Sequence, residues 1–152
     1  MKTYFAEQQY RMIHDIYVLL DDGDRRVLRE YDLSISQFSV LNTLDDNLGW
    51  RLTDVSSRLL IDKSTVTRII DRLERAGLVR RDADPTDRRV QRVVLTDRGR
   101  LLRDQARRAQ SESLVERLSI LDTTEQQQLQ DLLQKLRDGL LSRLAADPLV
   151  SS

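Results

Sequence analysis

Between residues 62 and 92 the chain carries an unusual density of cationic and hydroxyl side chains. Lys63, Ser64, Thr65, Thr67, Arg68, Arg72 and Arg75 fall on one run, and Arg80, Arg81, Arg88, Arg89 and Arg92 follow, with Pro85 at a turn between them. These groups suit the reading of a polyanion that also displays donors and acceptors. The planar fork of arginine meets two acceptors of guanine, and threonine touches a thymine methyl or donates to a base. A narrow minor groove concentrates negative potential and attracts an inserted arginine.

The elements needed to position these groups are legible around them. Val66, Ile69, Ile70 and Leu73 repeat at helical spacing, so the run is an amphipathic helix with Asp62 as its cap and Gly77 as its end. Ser64, Arg68, Asp71 and Arg75 then face outward, flanked by Lys63, Thr65, Thr67 and Arg72. Residues near the start of such a helix reach base edges and later ones reach phosphates. Ser64, Thr65 and Arg68 are therefore assigned to bases, and Lys63, Thr67, Arg72 and Arg75 mainly to phosphates. Two strands follow, Leu78 to Asp82 and Val90 to Thr96, joined by a DPTD turn. Arg88 and Arg89 sit just past that turn, with Asp87 expected to fix an arginine through a carboxylate–guanidinium pair. Alone, the helix also fits an ordinary amphipathic helix with a charged exterior. The hairpin alone fits a surface ribbon held by Asp–Arg pairs. Together they read as a helix for the major groove beside a wing for the minor groove.

Elsewhere the chain is helical. Residues 4–31 form a long helix, with Gly23 costing about 1 kcal/mol relative to alanine and marking a possible bend. Ser34 and Gln37 have capping-box spacing for a second helix that fades at Asn47 to Gly49. Trp50 to Leu52 form a short extended link, and Thr53 caps a third helix through Leu60. Asp97 and Gly99 precede a long polar helix. Asp122 and Glu125 open the last helix as a capping box, with Leu129, Leu132, Leu133, Leu136, Leu140 and Leu144 on one face and a frayed tail from Ala145 to Ser152. The fold class is mainly α with a small β wing: a winged helix-turn-helix flanked by long dimerisation helices. The 152 residues form one domain, with a winged-helix lobe at about 33–97 and a dimerisation lobe at about 4–31 plus 98–145. The first, fifth and sixth helices carry apolar stripes with little to pack on, and a mutual two-fold interface buries them.

Composition narrows the function further. The chain has no cysteine and one histidine, His14, which removes disulfides, thiolate nucleophiles and a multi-histidine metal site. No cofactor is expected. Net charge is zero, yet residues 58–103 hold 13 Lys+Arg against 7 Asp+Glu, while both flanks are acidic. One face thus meets a polyanion while the rest stays solvated. No apolar window is long enough for a membrane span and no signal-peptide core is present, which places the protein in the cytoplasm. A Gly-rich phosphate loop, a nucleophile elbow and a zinc motif are all missing, so an enzyme is not expected.

The stretch LTDVSSRLLIDKSTVTRIIDRLERAGLVRRDADPTDRRVQRVVLTDRG resembles the winged-helix core of the MarR family of transcription regulators. The STVTR opening, the DRLERAGLV end, the D-x-R wing tip of Asp87 and Arg89, and the LTDRG exit occur in family order. Two positions depart from the pattern: Ser56 stands where alanine is common and Leu60 where glycine is common. The resemblance implies a homodimer on double-stranded DNA with a palindromic operator, its half-sites roughly 10 bp apart. It also implies the fourth helix in the major groove and Arg89 in the minor groove, with Asp87 orienting it. A repressor of its own or neighbouring genes is the expected role. Many members release DNA on binding small aromatic or phenolic anions, for which His14, Tyr17, Phe38 and Trp50 are the candidate lining. Missing cysteine argues against the peroxide-sensing branch, and scarce histidine against the zinc-sensing branch. The alternatives are a ligand-independent DNA-binding regulator and a winged-helix protein–protein module.

Overall fold

A computed structural model of the chain describes residues 1–45 and 49–146. Its elements run α1 (Lys2–Arg29), α2 (Ile35–Thr43), β1 (Trp50–Arg51), α3 (Leu52–Leu59), α4 (Lys63–Arg75), β2 (Val79–Ala83), β3 (Gln91–Leu95), α5 (Asp97–Leu118) and α6 (Thr123–Ala146). The strands form one antiparallel sheet in the order β1-β3-β2, with Trp50 opposite Val93 and Val79 opposite Leu95. This is the mainly helical winged architecture that the sequence implies.

Local chemistry sets most boundaries. α1 runs through Gly23 as one helix, supported by Asp21–Arg25 and Asp22–Arg26 pairs one turn apart. At α2 both arms of the capping box are made: Gln37 N–H donates to Ser34 Oγ at 3.2 Å, and Ser34 N–H donates to Gln37 Oε1 at 2.9 Å. The same reciprocal pair joins Asp122 and Glu125 at α6, both bonds at 2.9 Å. α4 ends where Gly77 adopts φ +70°, and Leu78 N–H then closes on Leu73 O at 2.9 Å.

Three boundaries differ from the sequence reading. Thr53 does not cap α3; the helix begins two residues earlier than that cap implies, at Leu52, with Arg51 at the cap position and no side-chain cap bond. Pairing of Arg51 with Arg92 keeps Trp50 and Arg51 extended, and the chain turns helical directly afterwards. Asp97 and Gly99 lie inside α5 rather than before it. Thr96 holds that start: its Oγ1 accepts from Gly99 N–H at 3.0 Å and donates to Gly77 O at 2.7 Å. Gly99 has a second reason to be glycine, since a Cβ there would lie 1.8 Å from the Leu78 carbonyl oxygen. Of the expected fade at Asn47 to Gly49, Asn47 and Leu48 lie outside the described residues, as do 147–152 of the expected frayed tail, while Ala145 and Ala146 belong to α6.

Leu60 takes the left-handed conformation, φ 56°, at the turn between α3 and α4. A leucine there costs about 1–2 kcal/mol in backbone strain. Ser56 offsets part of it by donating Oγ–H to Ile61 O at 2.6 Å, while Ile61 N–H returns to Ser56 O. The two departures from the family pattern therefore meet at one turn.

The described chain forms two compact units, Met1–Ser113 and Leu114–Ser152, which divide inside α5. The first has a continuous core of Leu28, Phe38, Val40, Leu41, Val55, Val66, Ile70, Leu73, Val93, Leu95 and Ala106 with their neighbours. Arg103 is buried in it and donates Nη1–H to Leu44 O at 2.9 Å, which satisfies the open end of α2. The second unit holds the end of α5 and all of α6, whose leucines remain solvent-facing; Leu132 is 66% exposed and Leu144 56%.

Candidate nucleic-acid interface

Four buried residues of α4, Val66, Ile69, Ile70 and Leu73, fix which way its polar face points. Lys63, Ser64, Arg68, Arg72 and Arg75 are exposed on the opposite side, with Thr65 and Thr67 half-buried between the two faces. Asp62 sets the start of the helix. Its Oδ1 accepts from Ser64 Oγ–H at 2.5 Å and from Thr65 N–H at 2.9 Å, and these bonds, that of Ser64 foremost, hold its carboxyl well below the usual carboxylate range. Along the face, Thr67 donates to Lys63 O, Arg68 Nη2–H donates to Thr65 Oγ1 at 3.1 Å, and Arg75 Nε–H donates to Asp71 O. Every acceptor met by these arginines is neutral. Among the described residues Lys63 and Arg72 have no acid partner either, so these cations keep their charge.

The wing uses its arginines unevenly. Arg81 binds both Asp71, at 2.5 Å, and Glu74, locking β2 to the end of α4. Arg80 pairs with Asp82 at 3.0 Å on its own strand. Arg92 donates Nε–H to Asp84 Oδ2 at 2.7 Å and Nη1–H to Gly49 O at 3.1 Å. Arg88 and Arg89 alone, at the tip, direct their guanidinium groups to no acid among the described residues.

Asp84 is the residue the sequence reading missed. Its carboxylate has no exposed surface and accepts five hydrogen bonds. Oδ2 receives Arg92 and Arg51 Nε–H, the latter at 3.1 Å, and Oδ1 receives Thr86 N–H, Thr86 Oγ1–H and Asp87 N–H at 2.9, 2.6 and 3.2 Å. The Thr86 hydroxyl first, and the arginines with it, hold the carboxyl far below its usual range. One buried anion thus ties β1, β3 and the turn together. The DPTD motif marks a turn but gives no sign of burial, because Arg51 lies far upstream.

Asp87 departs from its expected role. Its Oδ1 accepts from the backbone N–H of Arg89 at 3.0 Å and not from a guanidinium. It shapes the backbone on which Arg89 is presented and leaves that side chain free, because the carboxylate is short enough to close on the chain two residues ahead.

The four candidate effector residues do not line one cavity. Phe38 belongs to the core at 4% exposure, while His14 and Tyr17 stand on the exposed part of α1. Trp50 is half-buried, donates its indole N–H to Asp45 Oδ2 at 3.2 Å, and shares a shallow recess with Ser39, Asn42, Thr43, Arg58 and Leu59. No grouping of three His, Asp or Glu side chains among the described residues could hold a metal, and no described helix is long and apolar enough to cross a membrane.

Comparison with known proteins agrees with this geometry. Residues 33–90 match the model of the MarR family. The uncharacterised HTH-type transcriptional regulator YkoM of Bacillus subtilis is 32% identical over 130 residues, covering 86% of this chain and 84% of its own. Among solved structures, Bordetella bronchiseptica BpsR, whose DNA binding is regulated by 6-hydroxynicotinic acid, superposes with a TM-score of 0.79 at 29% identity, over 88% of this chain and 96% of its own. CouR from Rhodococcus jostii, solved bound to p-coumaroyl-CoA, gives a TM-score of 0.74 at 26% identity, over 82% of this chain and 88% of its own.

Proposed function

Since the chain belongs to the MarR family of transcription regulators, we propose that it binds a specific palindromic operator as a homodimer and represses its own or neighbouring genes in the cytoplasm. One observation carries this reading: an uncompensated cationic face on α4 beside a wing whose two tip arginines are also uncompensated. α4 enters the major groove, Ser64, Thr65 and Arg68 reach base edges, and Lys63, Thr67, Arg72 and Arg75 hold phosphates. Arg89 enters the minor groove from a turn that Asp87 shapes. Dimerisation is supported by the apolar side chains left open on α1 and α6, such as Phe5 at 62% and Leu132 at 66% exposure.

A small aromatic anion is the proposed effector class, supported by 6-hydroxynicotinic acid for BpsR and p-coumaroyl-CoA for CouR. Trp50 shares its recess with Arg58, which puts a ring and a guanidinium side by side. His14 and Tyr17 join such a site only when a second copy covers them, and Phe38 contributes only as its wall.

Fluorescence anisotropy on the protein's own upstream DNA against a scrambled duplex, over a salt series, tests the reading. Preferential binding that persists as salt rises is the expected result. Equal, weak affinity for both duplexes sinks the operator assignment, and no duplex affinity at all turns the wing into a protein-binding surface.

A further inference from the structure

Between the wing and the first turns of α3 and α4 lies a cavity of about 560 Å³ lined by Arg51, Thr53, Lys63, Arg88, Arg89 and neighbouring backbone. Four of its side chains are cationic and no carboxylate lines it. Lys63, Arg88 and Arg89 bring charges that no described acid neutralises. Arg51 is different: Asp84 holds its Nε at 3.1 Å, which anchors the guanidinium, and the side chain, with its other N–H donors, remains 39% exposed. The start of α3 opens into the same space at Leu52 and Thr53, and Arg51, at its cap position, makes no side-chain capping bond to it. One anchored cation and three others without an acid partner among the described residues, beside a helix start and around a hollow that no carboxylate lines, are the chemistry that suits a tetrahedral oxyanion.

We propose that this cavity is a phosphate-binding site, which accepts a backbone phosphate of DNA or, in its place, the phosphate of a soluble phosphorylated molecule that thereby displaces DNA. The displacement rests on the DNA-binding reading given above; the phosphate site stands independently of it. Lys63 and Arg88 carry the site. Arg89 lines it without DNA and leaves for the minor groove when a duplex arrives.

The test uses the full chain and pyrophosphate as probe. Without DNA, ³¹P resonances of pyrophosphate are followed during titration with the wild type, the double variant Lys63→Gln/Arg88→Gln, and Arg107→Gln/Arg108→Gln. The last removes two exposed cations of α5 that lie outside the cavity. Broadening with the wild type and the α5 variant, lost in the cavity variant, supports the site. Equal broadening with all three, or with none, overturns it. With duplex present, the cavity variant should bind every sequence more weakly, its salt slope falling by about 0.9 for each contact removed, and pyrophosphate should displace the wild type. Displacement that also occurs in the cavity variant marks bulk ionic strength as the cause and overturns competition at the site. A wild type that binds pyrophosphate but no duplex retires the DNA reading and leaves the cavity to soluble phosphates.

Discussion

Arg80, Arg81 and Arg92, at the base of the wing, each meet a carboxylate, whereas Arg88 and Arg89, at its tip, meet none among the described residues. The five residues are of one type and lie within thirteen positions of each other, yet the fold divides them into scaffold and tool. At the base, Asp71, Glu74 and Asp84 absorb positive charge and convert it into geometry, so that β2 is fastened to α4 and β3 to β1. At the tip the charge remains available to a partner. Counting arginines thus overstates the attraction a hairpin offers to a polyanion; what matters is how many of them the protein has already neutralised.

The sharpest way to break this division is Asp84→Asn. The amide retains an acceptor for Thr86 and Asp87 but removes the charge shared by Arg51 and Arg92. We expect the melting temperature to fall by several degrees and operator affinity by roughly a hundredfold, because the wing loses its anchor while its tip is chemically unchanged. Calorimetry and anisotropy on one sample check both, and an unchanged melting temperature would remove Asp84 from the scaffold. Arg68→Ala extends the comparison to the recognition helix. It should narrow the gap between operator and scrambled DNA by about 1–3 kcal/mol, the worth of a bidentate guanine contact. Equal loss on both duplexes would make Arg68 a phosphate contact. Arg89→Ala isolates the tip, with operator affinity dropping by about 1–2 kcal/mol and the melting temperature staying put. A matching loss of stability would show that tip and base are not separable.

The smallest effect expected is on acid stability. Asp84 is held below its usual range in the folded chain, so its contribution is complete above the unfolded value, near pH 4, and is lost as pH falls toward the folded value. Melting temperatures from pH 5 down to pH 3 should therefore decline less in Asp84→Asn than in the wild type. Parallel curves would assign the acid limb to other carboxylates, Asp62 first among them.

What the sequence revealed and what it hid divide along the range of the interactions involved. Ser34 with Gln37, Asp122 with Glu125, Asp62 with Thr65, and the apolar arc from Val66 to Leu73 are all contacts within one or two turns, and each reads directly from spacing. Asp84 and Arg51 are 33 residues apart, and nothing near either one announces the other. The same limit moved the start of α3: a threonine at Thr53 is a good local cap, but the pairing of β1 with β3 had already fixed Arg51. Phe38 illustrates a related ambiguity. An aromatic on a helix facing the core and one facing a ligand share the same spacing, and only the packing of α2 against its neighbours decides between them.

The sheet order β1-β3-β2 places the last strand made between the two made before it. During synthesis, therefore, Trp50–Arg51 and Val79–Ala83 leave the ribosome with no partner in each other, and each waits for Gln91–Leu95. A nascent chain that stops at the wing turn holds all of α4, with α2 and α3 to pack it, and yet has no sheet. The wing acquires its sheet only when β3 emerges, so a premature end before Gln91 yields a chain in which α4 can pack on α2 and α3 but the tip arginines have no paired strands to carry them.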